Sequence, residues 1–580
     1  MNTGDSEVHI AFNVPARMRD GTVLLANVFT PAGNGPFPVA LSRTPYSKDL
    51  VTSFPYLDPV RLAQSGFIVV VQDVRGRYTS AGDWALFANE AEDGYDTVEW
   101  AATLPGASGD VGMWGISYLG YCQWAAASMA PPHLKAIMPA LTWSDARQGM
   151  FWRGGALELG MLAQLLLSSL GWDVLHKRLK QASEGSIAQF FDSFVRTVDG
   201  LPVDGYASLP LRDFGPLKRL ELGCDLLDDL VGHPCGTKFG SFPYSVSQMA
   251  RNTQVPAYNI GGWYDPFLKG TLDNYNLQGA AIGTASPSAP KLLVGPWSHL
   301  NYSNVVGEVD FGARGQMALM PGDVDMVELT RRWFDACLKG DDNGIHDEPP
   351  VKLFVMGANA WREEWEWPLT RTRYTPYYLQ PDGELSTAVP PSGGSPDTYV
   401  YHPAHPAPCT GGSTLLAPLY CPGARDQRAV EARSDVLSYT TRVLPDPIEV
   451  TGPVTVQLWA ATSARDTDFV ARLADVHPDG RSICLTDGIL RASFHQPDCY
   501  SPAESDCPCR LEIDLWATSN VFLPGHRIRL DVTSSCFPRW DRNPNTGEAF
   551  GVSETLLPAR QLIFHDADHP SHVMLPIVGR

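Results

Sequence analysis

The sequence predicts an α/β chain in three regimes: a mostly parallel sheet with helices on its faces, a helical insertion inside it, and an all-β C-terminal part. Three observations carry this reading. Short apolar runs alternate with amphipathic helical stretches up to residue 140 and again from 257 to 339, the rhythm of a parallel sheet covered on both faces. Between them, from Gly155 to about Gly232, apolar residues recur at helical spacing with no strand-like run. From Pro349 onward the period falls to two, between turns rich in Pro and Gly. The expected divisions are 1–144 and 246–348 for the core, 145–245 for a helical cap, and 349–580 for a β-sandwich of the jelly-roll kind.

Within the core, Val8–Val14 and Val23–Phe29 flank Asp20-Gly21, a hairpin signal. Val39–Ser42 and the continuously apolar Gly66–Val71 read as buried strands. The stretch from Glu90 to Leu104 puts Val98, Ala101, Ala102 and Leu104 on one helical stripe, with acids in its first turn. Val111–Ile116 then runs into Ser117 and a helix, and Leu134–Pro139 is the next strand. In the insertion, Ala156–Leu170 reads as one helix and Val174–Arg196 as two more. The α/β rhythm resumes with strands over Ala257–Tyr264 and Lys291–Ser298 and a helix over Met326–Lys339. Beyond it, Val351, Leu353 and Val355 are assigned to the sandwich, followed by Val454–Trp459, Phe469–Val476 and Ile528–Val532, where Arg527, Arg529 and Asp531 point outward. Pro390–Pro408 reads as an irregular loop.

A formal charge of −20 without a Lys/Arg cluster argues against nucleic acid as a partner. No apolar run reaches the roughly 20 residues of a membrane span, and the first ten residues lack the charged start and apolar core of a signal peptide. Eleven cysteines without a CxxC pair suggest a reduced cytoplasmic enzyme rather than a disulfide scaffold. Cys499, Cys507 and Cys509 lack partners at metal-ligand spacing, and neither metal nor cofactor is expected.

The chemistry starts at Gly115-Ile116-Ser117-Tyr118-Leu119-Gly120. A strand, a sharp turn with serine at its apex and a helix expose a nucleophilic hydroxyl above a sheet. Leu119 stands where the second glycine of the usual G-x-S-x-G falls; the competing reading is a serine that merely caps a helix. A serine nucleophile needs a base, and the base needs a carboxylate to fix its tautomer. Asp265 and His299 each follow a predicted core strand and satisfy the order serine, acid, histidine. The Tyr118 amide offers one donor to an oxyanion. The loop after an early strand would supply the second, but Pro45 has no N–H, which leaves the Tyr46 hydroxyl.

Together with Gln72-Asp73-Val74-Arg75-Gly76, Gly262-Trp263-Tyr264-Asp265, Gly295–His299, Leu353–Gly357 and Thr518–His526, these residues resemble the cocaine esterase and X-Pro dipeptidyl-peptidase group of α/β-hydrolases over nearly the whole chain. The resemblance implies an α/β-hydrolase core with an inserted helical cap and a C-terminal jelly roll. It implies Ser117, His299 and Asp265 as nucleophile, base and orienting acid, with Tyr46 and Tyr118 at the oxyanion. It also implies an aromatic acyl pocket at Trp152 and Phe267, completed by Leu416 beside Ala417, which stands where an esterase of the group has phenylalanine. The expected reaction is hydrolysis of a small-molecule carboxylic ester, by a monomer or a homodimer. An α-amino-acid ester hydrolase, acylase or dipeptidyl-peptidase would use the same machinery but needs carboxylates for a cationic amine, and Pro266, Phe267, Leu268, Phe151 and Arg153 supply none. A non-catalytic binding protein would not need the nucleophile, acid, base and oxyanion donors together.

Overall fold

The computed structural model describes the chain apart from residues 1–6, 51–57, 181–182, 234–236, 241–242, 284–285, 287, 321, 323, 417–418, 420, 495–505 and 580. Ala417 and Cys499 lie outside the described residues. The core is a ten-stranded sheet made of β1 (Val8–Arg17), β2 (Val23–Pro31), β3 (Phe37–Thr44), β4 (Ile68–Asp73), β5 (Ala107–Ile116), β6 (Leu134–Ala140), β7 (Tyr258–Tyr264), β8 (Lys291–Ser298), β9 (Val351–Val355) and β10 (Ala360–Glu364). Its spatial order is β1-β2-β4-β3-β5-β6-β7-β8-β9-β10. The β1–β2 hairpin and its pairing with β4 are antiparallel, as is β9 with β10; every pairing from β4 to β9 is parallel. Helices α1 (Glu90–Ala102), α2 (Tyr118–Ser128), α3 (Leu268–Ile282) and α4 (Met326–Phe334) cover it. Two apolar clusters follow, one holding Val70, Met113 and Trp124, the other Val69, Trp114 and Trp333. Successive residues of β4 and β5 thus feed opposite faces, and both faces are buried.

This sheet extends past the boundary expected at residue 349. Val351–Val355 is not the first strand of the sandwich: Leu292 pairs with Val351 and Val294 with Leu353, so the segment continues the parallel core. Its apparent alternation misled because Lys352, although polar, is buried and ion-paired with Glu348 at 2.7 Å.

The insertion leaves after Ser144 and returns at Val246, whose N–H donates to Ser144 O at 2.6 Å. Trp143 Nε1 donates to Tyr244 O at 2.9 Å beside that closure. The segment expected as a single helix is a two-residue strand pair, Trp152–Arg153 with Ala156–Leu157, then a helix from Leu159 to Ala163 that widens to a π-turn over Gln164–Ser169. Gly154 and Gly155 between the two short strands take positive φ, which terminates helical geometry there.

The C-terminal all-β domain consists of a seven-stranded and a four-stranded sheet around one apolar core that includes Val456, Leu458, Leu473, Ile513 and Leu530. Pro390–Pro408 is not simply a loop, since Asp397–Tyr401 pairs with Ala559–Phe564. Nor do the polar residues of the four-stranded sheet all face water: every residue from Asp468 to Val476 is buried, and so is Asp531. The insertion seals part of this face. Trp540 donates to Glu158 at 2.8 Å, Leu157 N–H to Asp541 at 2.6 Å, and Arg153 pairs with Asp487 at 3.6 Å. The domain also joins the core sheet directly, through reciprocal backbone bonds of Met356 with Ser519 and Val521.

Candidate active site

In a parallel sheet, ligands sit beyond the carboxyl ends of the strands, next to the point where the strand order reverses. Here β3 lies between β4 and β5, and the carboxyl ends of β3, β5, β7 and β8 lead to Tyr46, Ser117, Asp265 and His299. Ser117 has φ 56° and ψ −121°, a strained conformation for a residue with a Cβ. Its N–H is tied to Ala140 O at 2.9 Å. A Cβ on Gly115 would stand 2.6 Å from Leu119 Cβ, and one on Gly120 would stand 2.9 Å from Thr142 Cβ. The shifted glycine thus has a steric reason: Leu119 fills the space that Gly115 leaves, and Gly120 lets α2 close onto the strand beside it. Gln123 braces the turn from behind, donating to Gly115 O and Leu119 O and accepting from Met138 N–H at 2.8 Å.

The two tyrosines differ. Tyr46 N–H is consumed by Thr44 Oγ1 at 3.0 Å, and Pro45 O is held by Arg77 at 3.0 Å, so this loop presents the phenol rather than an amide. Burial pushes the Tyr46 hydroxyl up to about 12, against the opposing pull of a hydrogen bond with Ser117; it stays protonated and available as a donor at neutral pH. The Tyr118 ring turns into the core, where its hydroxyl donates to Glu90 at 2.9 Å and accepts from Phe87 N–H at 3.2 Å. Its N–H opens α2, a position without an intrahelical acceptor. Glu90 also pairs with Arg43 at 2.8 Å, and all three side chains are buried. Burial pushes the Glu90 carboxyl up, opposed by Arg43 and the Tyr118 hydrogen bond. Arg43 lies three residues before Tyr46, so one ion pair anchors both the Tyr46 loop and the first turn of α2.

Asp265 and His299 meet at 2.7 Å, Oδ2 to Nδ1, with Asp265 fully buried and His299 only 4% exposed. The other oxygen, Asp265 Oδ1, accepts from Phe267 N–H at 2.7 Å. Tyr302 donates its hydroxyl to His299 O, fixing the loop that carries the imidazole. A carboxylate on Nδ1 leaves Nε2 as the nitrogen that exchanges a proton with a nucleophile.

Ser117, His299, Tyr46, Tyr118 and Phe267 line one cavity of about 390 Å³. Trp143, Met150, Met161 and Leu165 make its apolar wall, and Trp172 stands half exposed on it. No Asp, Glu, Lys or Arg occurs among the described residues lining it. Two expected pocket residues are elsewhere. Trp152 packs on Phe550 with ring centroids 4.9 Å apart, because the short strand pair turns it toward the β domain. Leu416 is spent on filling the space beside Gly160, whereas its neighbour Leu415 reaches the cavity. The chain-order signal for Leu415 was adjacency alone. Trp143 and Leu300 were missed from the sequence; the first lies three residues beyond the end of β6 and the second directly follows His299, which is the signal that marks them.

The family model of X-Pro dipeptidyl-peptidases (S15 family) matches residues 20–301, and that of the X-Pro dipeptidyl-peptidase C-terminal non-catalytic domain matches 343–574. Cocaine esterase of Rhodococcus sp. (strain MB1 Bresler) is 36% identical over 99% of this chain and 100% of its own length. Among solved structures, an aminopeptidase from a marine sediment Thaumarchaeota archaeon aligns with TM-score 0.82 at 24% identity, over 100% of this chain and 98% of that one. An α-amino acid ester hydrolase aligns with TM-score 0.80, also at 24% identity and the same coverage. Both share the fold.

Proposed function

Since the chain belongs to the X-Pro dipeptidyl-peptidase (S15) family and is a serine hydrolase acting on esters, we propose that its substrates carry an apolar, aromatic acyl group and are cleaved through an acyl-enzyme on Ser117. The supporting observation is the cavity over Ser117, whose described lining bears no Asp, Glu, Lys or Arg. A cationic amine would enter it without a counter-charge, at the full desolvation cost of an unpaired ion. An apolar ring meets Phe267, Trp143 and Leu415 instead.

In this reading Ser117 Oγ attacks the ester carbonyl while His299 Nε2 takes its proton, and Asp265 stabilises the resulting imidazolium. The oxyanion accepts from the Tyr46 hydroxyl and the Tyr118 N–H. Collapse passes the proton from His299 to the leaving alcohol, and water attacks the acyl-enzyme by the same route in reverse. The nine described cysteines are free thiols, which supports a reducing, cytoplasmic setting.

Three measurements test the proposal. Ser117→Ala should abolish turnover of a phenyl ester, and a serine-directed phosphonate should label wild type but not the variant. Benzoyl esters should exceed matched α-aminoacyl esters in kcat/KM by 100-fold or more, roughly the 2.7 kcal/mol expected for burying an unpaired amine. Preference for the aminoacyl series would overturn the acyl assignment.

A further inference from the structure

A second concavity, of about 350 Å³, lies where the core meets the β domain, bounded by Tyr264 and Phe311 on one side and by Asp475, His477, Asn520 and His526 on the other. The fold assembles it by register. Strand Asp468–Val476 runs antiparallel to Arg527–Thr533 with Val476 opposite Arg527, so the turn after the first strand and the turn before the second stand side by side. That brings Asp475 and His526, 51 positions apart, to 2.8 Å between Oδ1 and Nδ1. His477 Nε2 lies 3.9 Å from Asp475 Oδ2, and the two imidazole rings are 4.5 Å apart at their centroids.

The three residues each offer one ligand atom, and these atoms all lie within 4.8 Å of one another. Donors on a tetrahedral ion with bonds of 2.0–2.1 Å stand about 3.3 Å apart, so small side-chain rotations bring the three onto one centre. Two further groups face the same concavity without a satisfied role. The Asn520 amide, 3% exposed, lies beside Asp475, yet its Nδ2 makes no well-formed hydrogen bond. Asn359 Oδ1 is buried and also lacks a partner. Buried amides are ordinarily satisfied, and either orientation of Asn520 can be adopted, which would turn its oxygen inward. Arg481 lines the same concavity but is drawn off toward Asp479, at 2.8 Å.

We propose that Asp475, His477 and His526 form a binding site for a divalent transition-metal ion of the zinc class. Two imidazoles and one carboxylate suit such an ion better than magnesium or calcium, which prefer all-oxygen sets. Three protein ligands leave a fourth position, open to the concavity, for water. The ion would fasten the turns at 477–481 and 523–526 to each other. No ligand motif marks the site in the sequence, because its donors come from two segments about 50 positions apart.

The test uses the full-length chain, stripped with a chelator, equilibrated with Zn²⁺ and dialysed. Elemental analysis should find zinc equimolar with protein, and Co²⁺ in its place should give visible d–d absorption. His477→Ala leaves the Asp475–His526 bond intact and should weaken zinc binding at least about 100-fold while ester turnover is unchanged. Sub-stoichiometric zinc in wild type, or His477→Ala binding zinc as tightly as wild type, would overturn the proposal.

Discussion

Tyr46 and Tyr118 stand together at the serine, but the structure gives their hydroxyls opposite work, and a pair of Tyr→Phe substitutions separates them. Tyr46→Phe removes only the phenol that hydrogen-bonds with Ser117. Loss of one preorganised oxyanion donor costs about 10²–10³ in kcat, or roughly 2.7–4 kcal/mol of transition-state stabilisation. Stability should change little. Tyr118→Phe keeps the backbone N–H and deletes a hydroxyl that donates to Glu90 at 2.9 Å and accepts from Phe87 N–H at 3.2 Å. A charged hydrogen bond and a stranded buried donor together amount to roughly 2–4 kcal/mol of folding stability. The Arg43–Glu90 pair survives, so the elbow keeps its anchor and kcat should stay within a few-fold. Steady-state kinetics on a phenyl ester, beside urea denaturation of the same preparations, reads both quantities. If Tyr118→Phe lost kcat as severely as Tyr46→Phe without losing stability, the assignment of the amide rather than the phenol at Tyr118 would be refuted.

Three further outcomes follow from the same geometry. Gly115→Ala puts a methyl 2.6 Å from Leu119 Cβ at a position with φ +135° and should cost roughly 2–4 kcal/mol in urea denaturation; a neutral effect would mean that the elbow can relax. Asp265→Asn can keep its oxygen on Phe267 N–H only by turning its NH₂ toward His299 Nδ1, which forces the wrong tautomer, so kcat should fall about 10⁴-fold, and a loss under tenfold would argue against that role. Burial pushes Lys291 down to about 8 from 10.5. The folded chain then binds fewer protons than the unfolded one between those values, and stability rises with pH across that window. Lys291→Met should flatten the rise, as denaturation at pH 7.5 and 10.5 would show.

The sequence made the elements with a single strong constraint legible. β4 and β7 are buried throughout, so Ile68–Val71 is apolar without interruption and β7 carries only Asn259 as a polar amide among apolar and aromatic residues. Asp265 and His299 stand directly after the ends of such strands, which is why they could be picked out of 64 acidic residues and 14 histidines. Legibility failed where a polar residue is buried with a partner far along the chain. Lys352 looked like the outward residue of a sandwich strand, yet it sits in the core sheet paired with Glu348. Asp531 looked solvent-facing, yet it is buried in the β domain, as is Arg472. Period-two alternation reports which side chains are apolar; it does not report what covers the other face. Here part of the cover is the insertion, through Arg153 and Glu158, whose charges meet those of Asp487 and Arg539. Exchanging one member of such a set leaves its partner buried and uncompensated, at about 3–5 kcal/mol. The insertion and the β domain therefore constrain each other through charge as well as shape. The same dependence explains the misplaced pocket residues: Trp152 and Leu416 are held by contacts to Phe550 and Gly160, partners that become neighbours only after the insertion has docked. Leu415 reaches the Ser117 cavity by that docking, so the β domain contributes to the lining of that cavity through its position rather than through any motif of its own.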